Sequence, residues 1–142
     1  MRIGIIAEGR ADIAVINAVV KAITGIDGSD MYAIRPKEIL DETDGEELKF
    51  SNWELVLQSC NNEQLLVPFF EAIDDEAILV VHIDTAERGE KNYDVHEPQR
   101  TGHPDWKKYS RELRNNVKIK IETLIPERHR DKVAYAIARE ET

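Results

Sequence analysis

The 142-residue sequence predicts a three-layer α/β domain, with a mostly parallel four-stranded sheet and helices on both faces. Three observations predict it. Short apolar runs alternate with segments of helical periodicity, the pattern of successive β-α-β units. The clearest runs are almost continuously apolar, as strands buried on both faces are. At 42% hydrophobic and 33% charged residues, the chain can bury one ordinary core and has no apolar run of the roughly 20 residues that a membrane span requires.

Arg2 to Ala7 is the first such run. Its short apolar stretch and charged start resemble a secretion signal superficially, but acidic Glu8 follows at once, so a buried strand is expected. Glu8-Gly9-Arg10 breaks the strand. Ile13, Ile16, Val20 and Ile23 then recur at steps of three and four, a core-facing helical stripe, with Asp12 in the first turn where its charge suits the helix dipole. Gly25 and Gly28 end that helix and open a loop. Met31 to Arg35 reads as a second strand, stopped by Pro36.

Lys37 to Asn52 is acidic and poorly periodic, a loop or an insertion. Helical spacing resumes at Trp53, with Asn61-Asn62 separating two helices and Leu65, Phe69, Phe70 and Ile73 on an inner face. Ala77 to Ile83 (AILVVHI) is the clearest strand and stops at Asp84. Thr85 to Pro104 holds glycines, prolines and few apolar residues, a long loop of the functional or disordered kind. Asp105 is placed as the N-cap of a helix whose Trp106, Tyr109, Leu113, Val117, Ile121 and Leu124 recur at steps of 3, 4, 4, 4 and 3. After Pro126, Val133 to Ala138 is a last strand. The order suits a Rossmann-like single domain over residues 1–142. The chain stops right after a strand, as a longer protein trimmed there would.

Charge narrows the function. The net charge of −9 argues against gripping nucleic acid by bulk electrostatics, but its distribution is uneven. Lys37–Glu90 carries 3 basic and 15 acidic residues, whereas Asp105–Lys132 carries 9 basic and 5 acidic. Two solvated faces of opposite sign would give the same distribution. Cys60 stands alone, which excludes a disulfide framework and a cysteine-rich zinc site and suits a reducing, cytoplasmic compartment. No GxxxxGK[ST], GxGxxG or HExxH motif is present.

In open parallel sheets, ligands bind beyond the carboxyl ends of the strands. Glu8 ends the first strand, Asp84 the third, and Glu140 and Glu141 follow the fourth. Asp12 lies one helical turn beyond Glu8, and Glu87 flanks the start of the long loop. Clustered carboxylates repel unless a cation neutralises them, and magnesium does so with few carboxylates, waters and phosphate oxygens. Each acid alone has a plainer reading as a helix cap or surface group, and Glu8 with Asp84 is the more specific pair. His82, inside an apolar strand, reads as a hydrogen-bonded core histidine. His96 and His103 lie in the long loop without metal-ligand spacing. Arg88 and Lys91 would meet a phosphate or balance nearby acids. Cys60 has no base partner in sequence.

The segments IGIIAEGRADIAVINAVV and ILVVHIDTAERG, with AYAIAREET as a weaker third, resemble the Toprim fold of topoisomerases, primases and old-type nucleases. They are especially similar to small Toprim-related proteins of bacterial genomes and defence loci. The resemblance covers about a third of the chain. It implies that Glu8, the glutamate after the first strand, is an acid/base or metal ligand. It also implies that Asp84 is the first member of a magnesium-binding DxD pair. The second member would fall on Ala86, so Glu87, Glu140 or Glu141 would have to substitute.

Three readings follow. The first is a nuclease-like phosphoryl-transfer domain using one or two magnesium or manganese ions. In it Glu8 and Asp84 are catalytic, Asp12, Glu87, Glu140 and Glu141 are further ligands, and Lys107, Lys108, Arg111, Arg114 and Lys118 guide nucleic acid. The second is a catalytically degenerate binding or regulatory module of a larger assembly, with a protein partner or further copies of itself. The third is a receiver-type domain phosphorylated on Asp84, against which stands the absence of a lysine after the last strand.

Overall fold

The computed structural model describes residues 1–37, 51–72, 76–95, 97–98 and 106–138. Strands β1 (Arg2–Ile6), β2 (Met31–Arg35), β3 (Ala77–Asp84) and β4 (Val133–Ala138) form one parallel sheet in the order β2-β1-β3-β4. Helix α1 (Arg10–Thr24) connects β1 to β2, α2 (Asn52–Cys60) and α3 (Glu63–Phe70) precede β3, and α4 (Trp106–Leu124) connects β3 to β4. This is the predicted Rossmann-like α/β arrangement. The chain order reverses between β1 and β3, which places a topological switch point at the carboxyl ends of those two strands.

The alternation of burial along β3 shows how the layers divide. Ala77, Leu79, Val81 and Ile83 are buried and face α2, α3 and α4, joining Ile6, Leu66, Phe70, Leu113, Val117 and Ile121 in the larger core. Ile78, Val80, His82 and Asp84 point to the other face and are half-buried. There Ile3, Ile5 and Ala7 of β1 meet Ile13, Ile16 and Val20 of α1 in a smaller cluster. In the central strand, Gly4 is needed for close approach. A Cβ there would lie 2.6 Å from Ile34 Cδ1 and 2.7 Å from Phe69 Cζ, so the ring of Phe69 packs directly on the backbone.

The helix ends follow the sequence signals. Gly25 adopts the left-handed conformation (φ 67°) that closes α1, its N–H donating to Lys21 O at 2.9 Å. Asn62 caps α3 by accepting from Leu65 N–H at 3.2 Å. Two apolar positions differ from expectation. Ile23 is 77% and Trp106 is 42% exposed. Ile23, in the last turn of α1, continues the exposed flank of Val15 and Val19 at steps of four. Trp106 stands at the start of α4 and packs edge-on against Tyr109 instead of entering the core. Within α3 it is Leu66 that is fully buried, with Leu65 only half-covered. Ile73 and Asp105 lie outside the described residues.

Candidate functional site

The carboxyl ends of β1 and β3 lie side by side, and that proximity brings together two acids 76 residues apart in sequence. Asp84 N–H donates to Glu8 Oε2 at 3.2 Å. Glu8 sits just past β1, where the strand has left the sheet and Gly9 starts α1. Its backbone is held from the other side by the buried guanidinium of Arg35, at the end of β2. Arg35 Nη1 donates to Ala7 O at 2.7 Å and to Glu8 O at 3.2 Å, and Nη2 donates to Asn52 Oδ1 at 3.3 Å. Tyr93, fully buried and tilted against Trp53 at 5.3 Å, donates its hydroxyl to Asp84 O at 2.8 Å. The beginning of the long loop is therefore built structure, folded back beneath the strand end.

The carboxylates differ in what they do. Glu8 binds its proton more tightly than an ordinary glutamate. Burial is the main cause, and the charges of Glu87 and Asp84 reinforce it against the opposing hydrogen bond from Asp84 N–H and the charge of His82. Asp84 Oδ1 accepts from Ala86 N–H at 2.7 Å. The position where a second aspartate would stand thus supplies a main-chain donor to the first. Glu8 lies close enough to feel the charges of both Asp84 and Glu87, whereas Asp12 is engaged on the α1 side. Asp12 Oδ2 accepts from Gly9 N–H at 3.0 Å as a helix-capping contact, and Oδ1 lies 3.6 Å from His82 Nε2. His82 Nδ1 contacts Ala136 O at 2.7 Å, so this histidine is the hydrogen-bonded strand residue expected, with Asp12 added.

Glu8 opens into a cleft of about 610 Å³ lined also by Ser51, Asn52, Trp53, Glu54, Glu87 and Glu90. Glu54 and Glu90 belong to this acidic wall and were not singled out by sequence. Glu54 reads as an ordinary first-turn acid of α2, and only the packing of α2 beside β1 and β3 brings it here. Among the described residues, no group of three or more His, Cys, Asp or Glu is arranged to hold a metal ion. Glu140, Glu141, His96 and His103 lie outside the described residues. Arg88 pairs with Glu97 at 2.8 Å and donates to Thr85 O at 3.0 Å, so it balances acids and braces its loop. Cys60 is buried, and that burial pushes its thiol up to about 12, which agrees with an inert core residue.

The basic helix lies at the sheet edge beside this centre. Spacings of 4, 3 and 4 put Lys107, Arg111, Arg114 and Lys118 on one side of α4. A shallow groove of about 620 Å³ separates Arg111, Arg114 and Lys118 from Tyr135–Ala138 of β4. Lys118 Nζ stands 5.6 Å from the Tyr135 ring centre and 3.7 Å from Glu122. Lys108 is turned one step around the helix, 4.0 Å from Glu112. Ala138, at the groove's end, is the β4 neighbour of Asp84.

The raised proton affinity of Glu8 gives a signed pH prediction. A carboxyl whose folded-state pKa exceeds its ordinary 4.5 disfavours the charged form in the fold. Its stability contribution is complete below 4.5 and is lost as the pH rises through the folded-state value. Glu8→Gln, neutral at all pH, keeps an oxygen for Asp84 N–H and removes the charge. Thermal melts should show it more stable than wild type by about 2 °C at neutral pH, with the difference closing on acidification below that ordinary value. An equal or lower Tm at neutral pH would contradict the assignment.

No family model, curated protein or solved structure matches this chain. No described helix is long and apolar enough to cross a membrane.

Proposed function

We propose that the chain is a magnesium-dependent phosphoryl-transfer domain acting on nucleic acid, with its centre at Glu8 and Asp84. The observation that carries this reading is the contact of Asp84 N–H with the Glu8 carboxylate at the switch point between β1 and β3, where Glu8 also lines a cleft with Glu54, Glu87 and Glu90. Three neighbouring negative charges, with Glu8 already holding its proton more tightly, make a place where a cation relieves repulsion. Magnesium commonly takes only one or two protein carboxylates, keeping waters and substrate oxygens for its other positions. Glu8 and Asp84, with Glu87 nearby, would hold one such ion only with waters and substrate oxygens completing its shell, because no three of the described acids form a ready ligand set. The described residues do not fit a pair of ions, because Ala86 occupies the second acidic position and Asp12 is engaged with Gly9 and His82.

When bound, the ion would polarise the phosphoryl group and neutralise charge on the leaving oxygen. Glu8, held by Asp84 N–H, would accept the proton of the attacking oxygen and return it to the leaving oxygen. Asp84 is held by Ala86 N–H, with Tyr93 fixing its backbone, and orients the ligand. The α4 stripe, running along the sheet edge to Ala138, attracts the phosphate backbone that an overall charge of −9 would otherwise repel.

A magnesium or manganese titration followed by calorimetry tests this reading. Wild type should give saturable binding at millimolar ion or below, and Asp84→Ala should give none. A flat wild-type titration would favour the second reading, a degenerate partner-binding module. The observation favouring that alternative is the use of Ala86 N–H as a cap for the Asp84 carboxylate.

A further inference from the structure

The two faces of the sheet are covered unequally. Helices α2, α3 and α4 lie on one face, and among the described residues only α1 lies on the other. Helix α1 packs on β1 and β2 in a cluster with Ile3, Ile5, Ala7, Met31 and Ala33, and toward β3 the cluster takes in Val80 while Asp12 meets His82. Strands stand about 4.8 Å apart and a helix with its side chains is about 10 Å across. Among the described residues no helix covers the β3–β4 half of this face, which leaves a trough about one helix wide there. Its floor is Ile78, Val80, Ala134 and Ala136, half-buried or exposed, and the Asp12–His82 pair closes its carboxyl end.

The wall of the trough is the flank of α1. Val15, Val19 and Ile23, at steps of four, are 64%, 51% and 77% exposed. Asp12 lies on the same flank and meets His82 of β3, which shows that the flank is turned toward β3 and β4. Away from the sheet the helix presents Ala11, Ala14, Ala18 and Ala22, all exposed. Its exposed charges, Arg10 and Lys21, lie toward the opposite flank. A helix apolar on nearly every side is a buried helix. In a chain that is one-third charged residues, such a patch marks a contact surface.

We propose that this face joins two copies of the chain about a two-fold axis running along the strands. The shape is self-complementary, because a ridge one helix wide lies beside a trough one helix wide. The two-fold lays each α1 in the other copy's trough. Val15, Val19 and Ile23 then interdigitate with their counterparts near the axis, and the alanine side of each α1 rests on the partner's Ile78–Ala136 floor. Charge agrees as well. Two molecules of −9 repel, and this face presents no charged group between Arg10 and Lys21 except Asp12 at the rim. Pairing through the free edge of β4 would instead bring the two Arg111–Arg114–Lys118 stripes together. The face measures about 20 by 20 Å, an outline of about 400 Å² per copy and about 800 Å² for the pair, so a weak, reversible dimer is expected.

Sedimentation equilibrium of the 142-residue chain tests this pairing in the absence of added metal, independently of any catalytic role. Wild type should shift from monomer to dimer below about 200 µM. Val19→Glu and Ala134→Glu, both at exposed positions, should each weaken the dimer by about tenfold or more without lowering Tm. Tyr32→Glu, exposed elsewhere, should leave it unchanged. Val19→Cys should form an interchain disulfide under mild oxidation, since Cys60 is buried. A wild type monomeric throughout, or a dimer indifferent to both glutamates, would overturn the proposal.

Discussion

Glu8→Ala should reduce magnesium-dependent cleavage of a nucleic-acid substrate by about a thousandfold, in the range that a lost general acid or base costs. Asp84→Ala should be comparably inactive, and it alone should also lose the calorimetric signal for the ion entirely. The two variants separate the proposed roles. Glu8 supplies proton transfer and part of the ion's ligation, so its variant retains weakened ion binding. Both side chains stand at the rim of the sheet, outside the two hydrophobic clusters, so neither change should abolish folding. The Glu8→Gln variant adds a control for structure, because it keeps the contact to Asp84 N–H and loses the titrating proton. Full activity in Glu8→Ala/Asp84→Ala would remove this centre from consideration.

Arg35→Ala should cost about 3 kcal/mol, a fall in Tm of about 10 °C for a chain of this size. Arg35 is 7% exposed, and its guanidinium bridges three elements: its own strand, the end of β1 through Ala7 O and Glu8 O, and the start of α2 through Asn52. Its removal leaves a buried carbonyl at Ala7 without its 2.7 Å donor and frees the segment that carries Glu8. Arg35→Lys should recover less than half of the loss, because an ammonium cannot reach two carbonyls and an amide oxygen with a rigid planar fork. Chemical denaturation of the three proteins measures this. A cost under about 1 kcal/mol for Arg35→Ala would mean that the bridge is replaced by water.

Arg35 also shows what sequence reading can and cannot reach. The four strands, their parallel order and the long amphipathic α4 were legible because burial on both faces leaves continuous apolar runs, and burial on one side leaves helical spacing. Glu8 and Asp84 were legible because strand ends can be located and ligands gather there. Arg35 read as the polar end of a strand, since no local pattern tells a buried arginine from an exposed one. Glu54 and Glu90 reach the cleft only through the packing of α2 and the turns after β3. The exposure of Ile23 reflects its place on the α1 flank with Val15 and Val19, and apolar spacing alone does not tell that flank from the core stripe.

The neighbour relations in the sheet also order events during synthesis. β1 is made first, yet its β3 partner begins at Ala77 and the Asp84 contact to Glu8 spans 76 residues. Until the third strand emerges from the ribosome, β1 can pair only with β2, and Ile3 to Ala7 can be covered on one side alone. Contacts this distant in sequence are slow to form and leave apolar strands exposed while they wait. The junction of Glu8 and Asp84 therefore cannot exist until more than half of the chain has been made, and β4 joins the sheet only after it.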